Sequence, residues 1–202
     1  MSFSVLARGT PGFSGADLAN MVNQAAVKAS MDGLARVGMK QFEYAKDKII
    51  MGAERTSAVI EEQNRRIIAF HEGGHALVAM LTPGAMPVHK ATIMPRGSAL
   101  GMVSQLPEKD ELSWTRQQLV ARMDVAFGGR AAEELMFGND QITSGASSDI
   151  EAATRVATAM VTRYGMSPKV GPVLYKEEDF ANLSPGTRDD IDKEIKLLLQ
   201  VR

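Results

Sequence analysis

The chain has 202 residues, 45% hydrophobic and 23% charged, with a formal net charge of −1 and no cysteine. That is enough apolar material for a buried core, organised as one domain plus a smaller piece. The near-neutral balance gives no electrostatic footprint for nucleic acid or for an anionic membrane surface. Without cysteine there are no disulfides, thiolate metal sites or cysteine nucleophiles, and histidine and carboxylates remain as the metal ligands. No apolar run reaches bilayer-spanning length, and the Met1 end lacks a signal-peptide pattern. The 13 methionines, scattered at helical spacing, read as adaptable core filler.

Taken in order, Arg8 to Phe13 form a turn-rich approach to a helix. Ser14-Gly15-Ala16-Asp17 has the form of a capping box, with Ser14 as N-cap. Leu18, Met21, Val22, Ala25 and Ala26 then recur at helical spacing to about Met31, where Asp32-Gly33 ends the run. A second helix from about Lys40 carries Phe42, Ala45, Ile49 and Ile50 on one face. This helical pair cannot bury both its faces alone and is expected to pack on something beyond itself. Gly52 to Ala58 reads as a linker, and the domain boundary is placed there, giving pieces of 1–52 and 53–202.

A helix from about Glu61 to Leu81 follows, stopped by Thr82-Pro83-Gly84. Strands at Val88–Met94 and Met102–Leu106, flanking the turn Pro95-Arg96-Gly97-Ser98, form a hairpin whose edge is able to take an extended peptide by strand addition. The next helix starts at Ser113-Trp114-Thr115, turns Leu119, Met123, Val125 and Phe127 inward, and ends at Phe137-Gly138. Within it, Gly128-Gly129 costs helix propensity but permits close approach of another backbone. The small polar segment from Thr143 to Asp149 leads into a helix bearing Ile150, Ala153, Val156, Ala157, Met160 and Val161, closed by Tyr164-Gly165. After an extended stretch at Val170–Tyr175, Thr187-Arg188-Asp189-Asp190 caps a last helix. There is no internal repeat.

The chemistry concentrates in His71-Glu72-Gly73-Gly74-His75. Histidines four apart on a helix share a face and can hold one metal ion, with Glu72 beside them able to take a proton from water. A catalytic zinc site needs a third protein ligand. An extended motif with a third histidine six residues on fails, because Leu81 stands there. His89, the only other histidine, sits among strand residues and reads as structural. Glu133 and Glu134 on one helix and Asp149 at the start of another remain, and spacing alone does not choose among them. A carboxylate not used as ligand can accept the free ring N–H of a zinc-bound histidine.

His71-Glu72-Gly73-Gly74-His75, the run Gly129 to Glu134 and the segment Thr143 to Asp149 together resemble the peptidase domain of the FtsH family. These are membrane-anchored, ATP-dependent zinc metalloproteases of the AAA+ class. Gly9 to Leu18 is similar to the start of the helical lid in that family's ATPase module. The resemblance implies a mainly α chain: a helical, zincin-like peptidase domain with a small β-hairpin next to the metal helix, preceded by a helical AAA lid fragment. It implies Zn²⁺ held by His71, His75 and Asp149, Glu72 as general base, and Glu133 or Glu134 at most supporting a ligand. It also implies unfolded polypeptide substrates and six-membered rings, homo- or hetero-oligomeric. ATP belongs to the longer protein, since the 202 residues contain no phosphate-loop motif, and membrane attachment likewise. The family's peptidase domain usually runs past Arg202, so the last helices are expected to be cut short. Ser104 to Glu108 and Met160 to Ser167 are closest to the organellar branch, in particular the mitochondrial type facing the intermembrane space, with plastid and bacterial members sharing much of the wording. The rivals are a scaffold fragment of the same protease that holds no metal, and an unrelated zinc peptidase with another third ligand.

Overall fold

In the computed structural model, residues 3–55, 57, 60–96, 99–105 and 113–200 are described. Thr56 and Ala58 of the expected linker, Gly97-Ser98 of the expected turn, the strand end Leu106 and the stretch Pro107-Glu108 lie outside them. The chain is mainly α, with seven α-helices and one two-stranded antiparallel sheet among the described residues. Its contacts divide it into two compact units, residues 1–69 with 87–110, and residues 70–86 with 111–202.

The first unit holds α1 (Phe3–Arg8), α2 (Gly15–Met31), α3 (Met39–Met51) and the hairpin of β1 (Val88–Thr92) and β2 (Met102–Gln105). α2 begins where the sequence places it. The Ser14 hydroxyl accepts from the Asp17 N–H and the Asp17 carboxylate accepts from the Ser14 N–H. This reciprocal cap satisfies two N–H groups the helix cannot. Met21, Ala25, Phe42 and Ala45 form the core between α2 and α3, and Leu6 of α1 packs on it. α1 itself is absent from the sequence reading, because six residues are too few to display a period. The other face of α2 stays in solvent, with Val22 at 52% and Met31 at 74% exposure. This agrees with the expectation that the pair does not cover itself.

The hairpin is antiparallel, pairing Lys90 with Ser104 and Thr92 with Met102, with a register irregularity between Val88 and Lys90. The segment read as linker is partly paired. Glu54 bridges Arg96, the Arg55 N–H donates to the Pro95 carbonyl, and buried Arg96 donates to the Gly52 carbonyl and pairs with Glu54. Asp47 of α3 and Lys90 of β1 form an ion pair. A flexible-looking Gly-Ala-Glu-Arg composition is overridden here by one buried guanidinium.

The second unit contains the C-terminal part of α4 (Glu62–Leu81), then α5 (Arg116–Phe137), α6 (Ser147–Thr162) and α7 (Pro185–Gln200). Leu119 and Met123 of α5 meet Ala153, Ala157 and Met160 of α6, and Ile195 and Leu198 of α7 close over them. Small alanines facing long methionines let these helices interdigitate. The filler reading holds for Met21, Met51, Met123 and Met160, which are buried, but Met31 and Met80 are 74% and 73% exposed. α5 is capped by Thr115, whose hydroxyl accepts from the Gln118 N–H while the Gln118 side chain accepts from the Thr115 N–H. α6 ends as the sequence indicates: Gly165 takes φ 61°, and the Met166 N–H turns back to the Met160 carbonyl. The stretch 170–175 forms no strand, and a 3-10 segment at Glu177–Asn182 follows it. α7 starts two residues earlier than its expected cap. Ser184 accepts from the Thr187 N–H, and Pro185 occupies the first helical position, where its missing N–H costs nothing.

The contact between α4 and α5 positions the site. A Cβ on Gly74 would stand 2.2 Å from the Gly128 carbonyl oxygen, and one on Gly128 would stand 2.8 Å from the Gly74 oxygen. The backbones therefore touch, as the Gly128-Gly129 pair implies. Gly73→Ala and Gly74→Ala should separate cleanly in a denaturant titration. A Cβ on Gly73 meets nothing within 4 Å, so that change should be neutral or gain up to ~1 kcal/mol of helix propensity. Gly74→Ala forces backbone apart and should cost about 1–3 kcal/mol or more. Equal midpoints for the two variants would contradict the packing.

Candidate metal centre

His71 and His75 lie one turn apart on α4, and Asp149 lies in the first turn of α6. Their Nε2 atoms are 3.1 Å from each other and 3.3 and 3.4 Å from Asp149 Oδ2. The protons of both rings are placed on the far side. His71 Nδ1 is 2.7 Å from Glu133 Oε1, and His75 Nδ1 is 2.7 Å from the Val125 carbonyl oxygen. The Gly129 N–H also lies 3.3 Å from His75 Nδ1. A carbonyl can only accept, however, so the shorter contact fixes the proton on that nitrogen.

Both Nε2 atoms then carry lone pairs and face each other and a carboxylate oxygen. Three acceptors at hydrogen-bond distance repel unless a metal ion sits between them or a ring takes up a proton at Nε2 and donates it to Asp149. A tetrahedral ion with bonds of about 2.0–2.1 Å separates its donors by about 3.3 Å, so the triangle fits zinc without rearrangement. Two imidazoles and a carboxylate suit Zn²⁺, with three ligands leaving one position open. His71, His75 and Asp149 are the one group among the described residues whose donor atoms converge closely enough to hold a metal ion. Side-chain exposures of 12% at His71 and 26% at Asp149 leave the cluster accessible to water.

In the absence of a cation the same convergence shows as electrostatics. Asp149 raises the pKa of His71 through their hydrogen bond, against burial, and Glu133 adds to it. At His75 burial works downward, but Asp149 and the Val125 carbonyl outweigh it and the pKa is raised. Burial works upward on Asp149, and the imidazoles overcome it and hold the carboxyl well below its usual range. Glu72 is shifted the other way. Burial raises its carboxyl above the ordinary value, opposed by His75 and His71 and reinforced by Asp149. Such a carboxylate is a better proton acceptor than an exposed one.

The structure separates the two neighbouring glutamates. Glu133 is 1% exposed and holds His71, while Glu134 is exposed. Val125, Gly129 and Glu133 recur every four residues on α5, and all three touch the imidazoles: one by its carbonyl, one by lacking a side chain, one by its carboxylate. A Cβ on Gly129 would lie 2.5 Å from His75 Nε2 and 2.6 Å from His71 Nε2. That spacing is a signal the sequence reading missed. Thr143, which donates its N–H to Glu133 Oε2 at 2.7 Å, was missed as well. His89 stands exposed on β1 and is not part of the donor group.

Residues 58–202 match peptidase family M41, and residues 2–44 match an AAA+ lid domain. The chain is 56% identical over 200 residues to "ATP-dependent zinc metalloprotease YME1 homolog" of Schizosaccharomyces pombe, covering 99% of this chain and 28% of that protein. It is 56% identical over 196 residues to human "ATP-dependent zinc metalloprotease YME1L1", covering 97% and 25%. Against "ATP-dependent zinc metalloprotease FtsH" of Caulobacter vibrioides it is 54% identical over 206 residues, covering 96% and 33%. The chain thus spans about a quarter to a third of the length of these relatives. With residues 58–202, well over half of the chain, matching its model, the chain belongs to peptidase family M41, the FtsH-type zinc metalloproteases.

Proposed function

We propose that this chain is the proteolytic part, with a lid fragment at 1–52 and the peptidase domain at 53–202, of an ATP-dependent zinc metalloendopeptidase. The observation that carries the reading is the Nε2–Nε2–Oδ2 triangle, three acceptors arranged around a cation position. His71, His75 and Asp149 would hold the zinc, which when bound would supply a Lewis acid for a water molecule and a peptide carbonyl. Glu72 takes the proton from the attacking water and returns it to the departing amine as the C–N bond breaks. Glu133 and the Val125 carbonyl hold the two rings in the tautomer that presents Nε2. No side chain attacks the substrate, so no acyl-enzyme forms.

The substrates are unfolded or membrane-extracted polypeptides, and the whole protein works as a homo- or hetero-hexamer fed by its ATPase ring. The names of the relatives, ATP-dependent zinc metalloproteases, support a protein substrate and dependence on ATP, and the lid match supports an adjoining AAA+ module. Similarity to the YME1 proteins favours the mitochondrial inner membrane over a plastid or bacterial one. No helix among the described residues is long and apolar enough to cross a membrane.

Metal analysis tests the reading. After extensive dialysis near pH 8 about one zinc per chain should remain. The ligands bind as neutral imidazoles, and both are held protonated to higher pH than an ordinary histidine. Zinc affinity should therefore begin to fall above pH 6.5, steepening below it to as much as about a hundredfold per pH unit when both rings must lose a proton. A folded protein without zinc at pH 8, or an affinity flat between pH 8 and 6, would overturn the proposal.

A further inference from the structure

Glu133 is a fully buried carboxylate, and its placement depends on one residue that no part of the metal motif contains. Thr143 supplies two of its three hydrogen bonds. The Thr143 N–H donates to Oε2 at 2.7 Å and the hydroxyl to Oε1 at 3.2 Å, while His71 donates to Oε1 at 2.7 Å. The same hydroxyl accepts from the Gly145 N–H at 3.2 Å, and so caps the 3-10 turn Ser144–Ala146. That turn runs directly into α6, whose first turn bears Asp149.

A hydroxyl has one proton to give and two lone pairs to receive with. At Thr143 the proton is committed to the carboxylate behind His71, and a lone pair to the backbone that leads to Asp149. The arrangement is also tight. A Cβ on Gly145 would lie 3.1 Å from Thr143 Oγ1 and 3.9 Å from Glu133 Oε1, so the turn has little room to reposition the hydroxyl.

We propose that Thr143 is the positioning residue of the metal centre: its hydroxyl ties the Glu133–His71 pair on α4 and α5 to the turn that delivers Asp149 from α6. It touches neither metal nor substrate. It acts through Glu133, by fixing the carboxylate in the orientation that accepts the His71 proton, and through Gly145, by setting the register of the third ligand. This rests on the zinc-site reading above. It makes the ligand triangle a joint property of three helices, where a helix carrying two histidines alone would leave Asp149 unregistered.

The test is a double-mutant cycle read by zinc affinity in competition with a chelator, with the melting temperature of the metal-free protein alongside. Thr143→Val removes the hydroxyl and keeps the β-branch and the backbone N–H, and Thr143→Ser restores the hydroxyl. Thr143→Val should weaken zinc about tenfold, within the range for groups that support ligands, and Thr143→Ser should restore at least most of it. In a Glu133→Gln background the same change should have a smaller effect, because the route through Glu133 is already gone and only the one through the Gly145 N–H remains. Unchanged affinity in Thr143→Val, or an equal loss in both backgrounds, overturns the proposal. So does a loss matched by a comparable fall in metal-free stability, and so does failure of Thr143→Val and Thr143→Ala to fold where Thr143→Ser folds, for the hydroxyl would then serve the fold in general. Absence of zinc from the unmodified protein would instead overturn the site itself, and the two failures are distinct.

Discussion

In the full-length protein, Glu72→Gln should keep its zinc and lose peptide hydrolysis by about two to four orders of magnitude in kcat. Glutamine has nearly the shape of glutamate and Glu72 is not among the three converging donors, so the metal has no reason to leave. What disappears is the ability to take a proton. Burial raises the Glu72 carboxyl in the metal-free chain, whereas a bound Zn²⁺ would favour its ionised form. Turnover of the unmodified enzyme should fall at low pH as Glu72 takes up a proton, and that acid limb should be missing from whatever turnover Glu72→Gln retains. Zinc content and a fluorogenic-peptide assay on the same preparations decide it. Retained turnover with zinc in place would remove Glu72 from the base role, and lost turnover with lost zinc would make it a residue that holds the metal.

The elements were legible wherever the signal is local. The Ser14–Asp17 box, the glycine at 165 and the apolar periods of α2 to α6 depend on residues within a few positions of one another, and the structure follows them within a few residues. Failures occur where a neighbour distant in sequence decides. The segment after Gly52 has the composition of a linker, yet Arg96, more than forty positions on, pairs with it and is buried in doing so. At α7 the Ser184-Pro185 start was passed over in favour of the charged residues behind it, although both patterns are local.

The metal centre divides in the same way. His71 and His75 are a property of one helix and were readable from their spacing. Which carboxylate meets them depends on how closely α5 and α6 approach α4. That distance is set by Gly74 against Gly128 and by Gly129 beneath the rings. The glycine pair announced a close approach without saying to what. Glu133 was nearly legible, since it continues the four-residue spacing of Val125 and Gly129, whereas Glu134 is rotated about 100° away. The Val125 carbonyl was not legible at all, because every residue type offers one. The choice of Asp149 came from resemblance, and the geometry now supplies a physical reason for it: the first turn of α6 places an acceptor 3.3 and 3.4 Å from two others.

Asp149→Asn is the sharpest probe of that ligand set. The amide oxygen is a weak zinc donor and carries no charge, so affinity should fall by at least on the order of a hundredfold and dialysis should strip the metal. A second consequence appears with no metal present. The hydrogen bond from His71 to Asp149 is the largest influence holding that imidazole above its usual pKa, and Asp149 also raises His75. Removing the carboxylate should bring both values down in an NMR titration of the metal-free protein. The fall should be partial at His71, where Glu133 still accepts from Nδ1. Glu133→Gln serves as the contrast. It should weaken zinc by about 10–100-fold while leaving Asp149 to converge on both Nε2 atoms. Zinc retained in Asp149→Asn but lost in Glu133→Gln would reverse the two roles, making the residue beneath His71 the ligand and the residue on α6 its support.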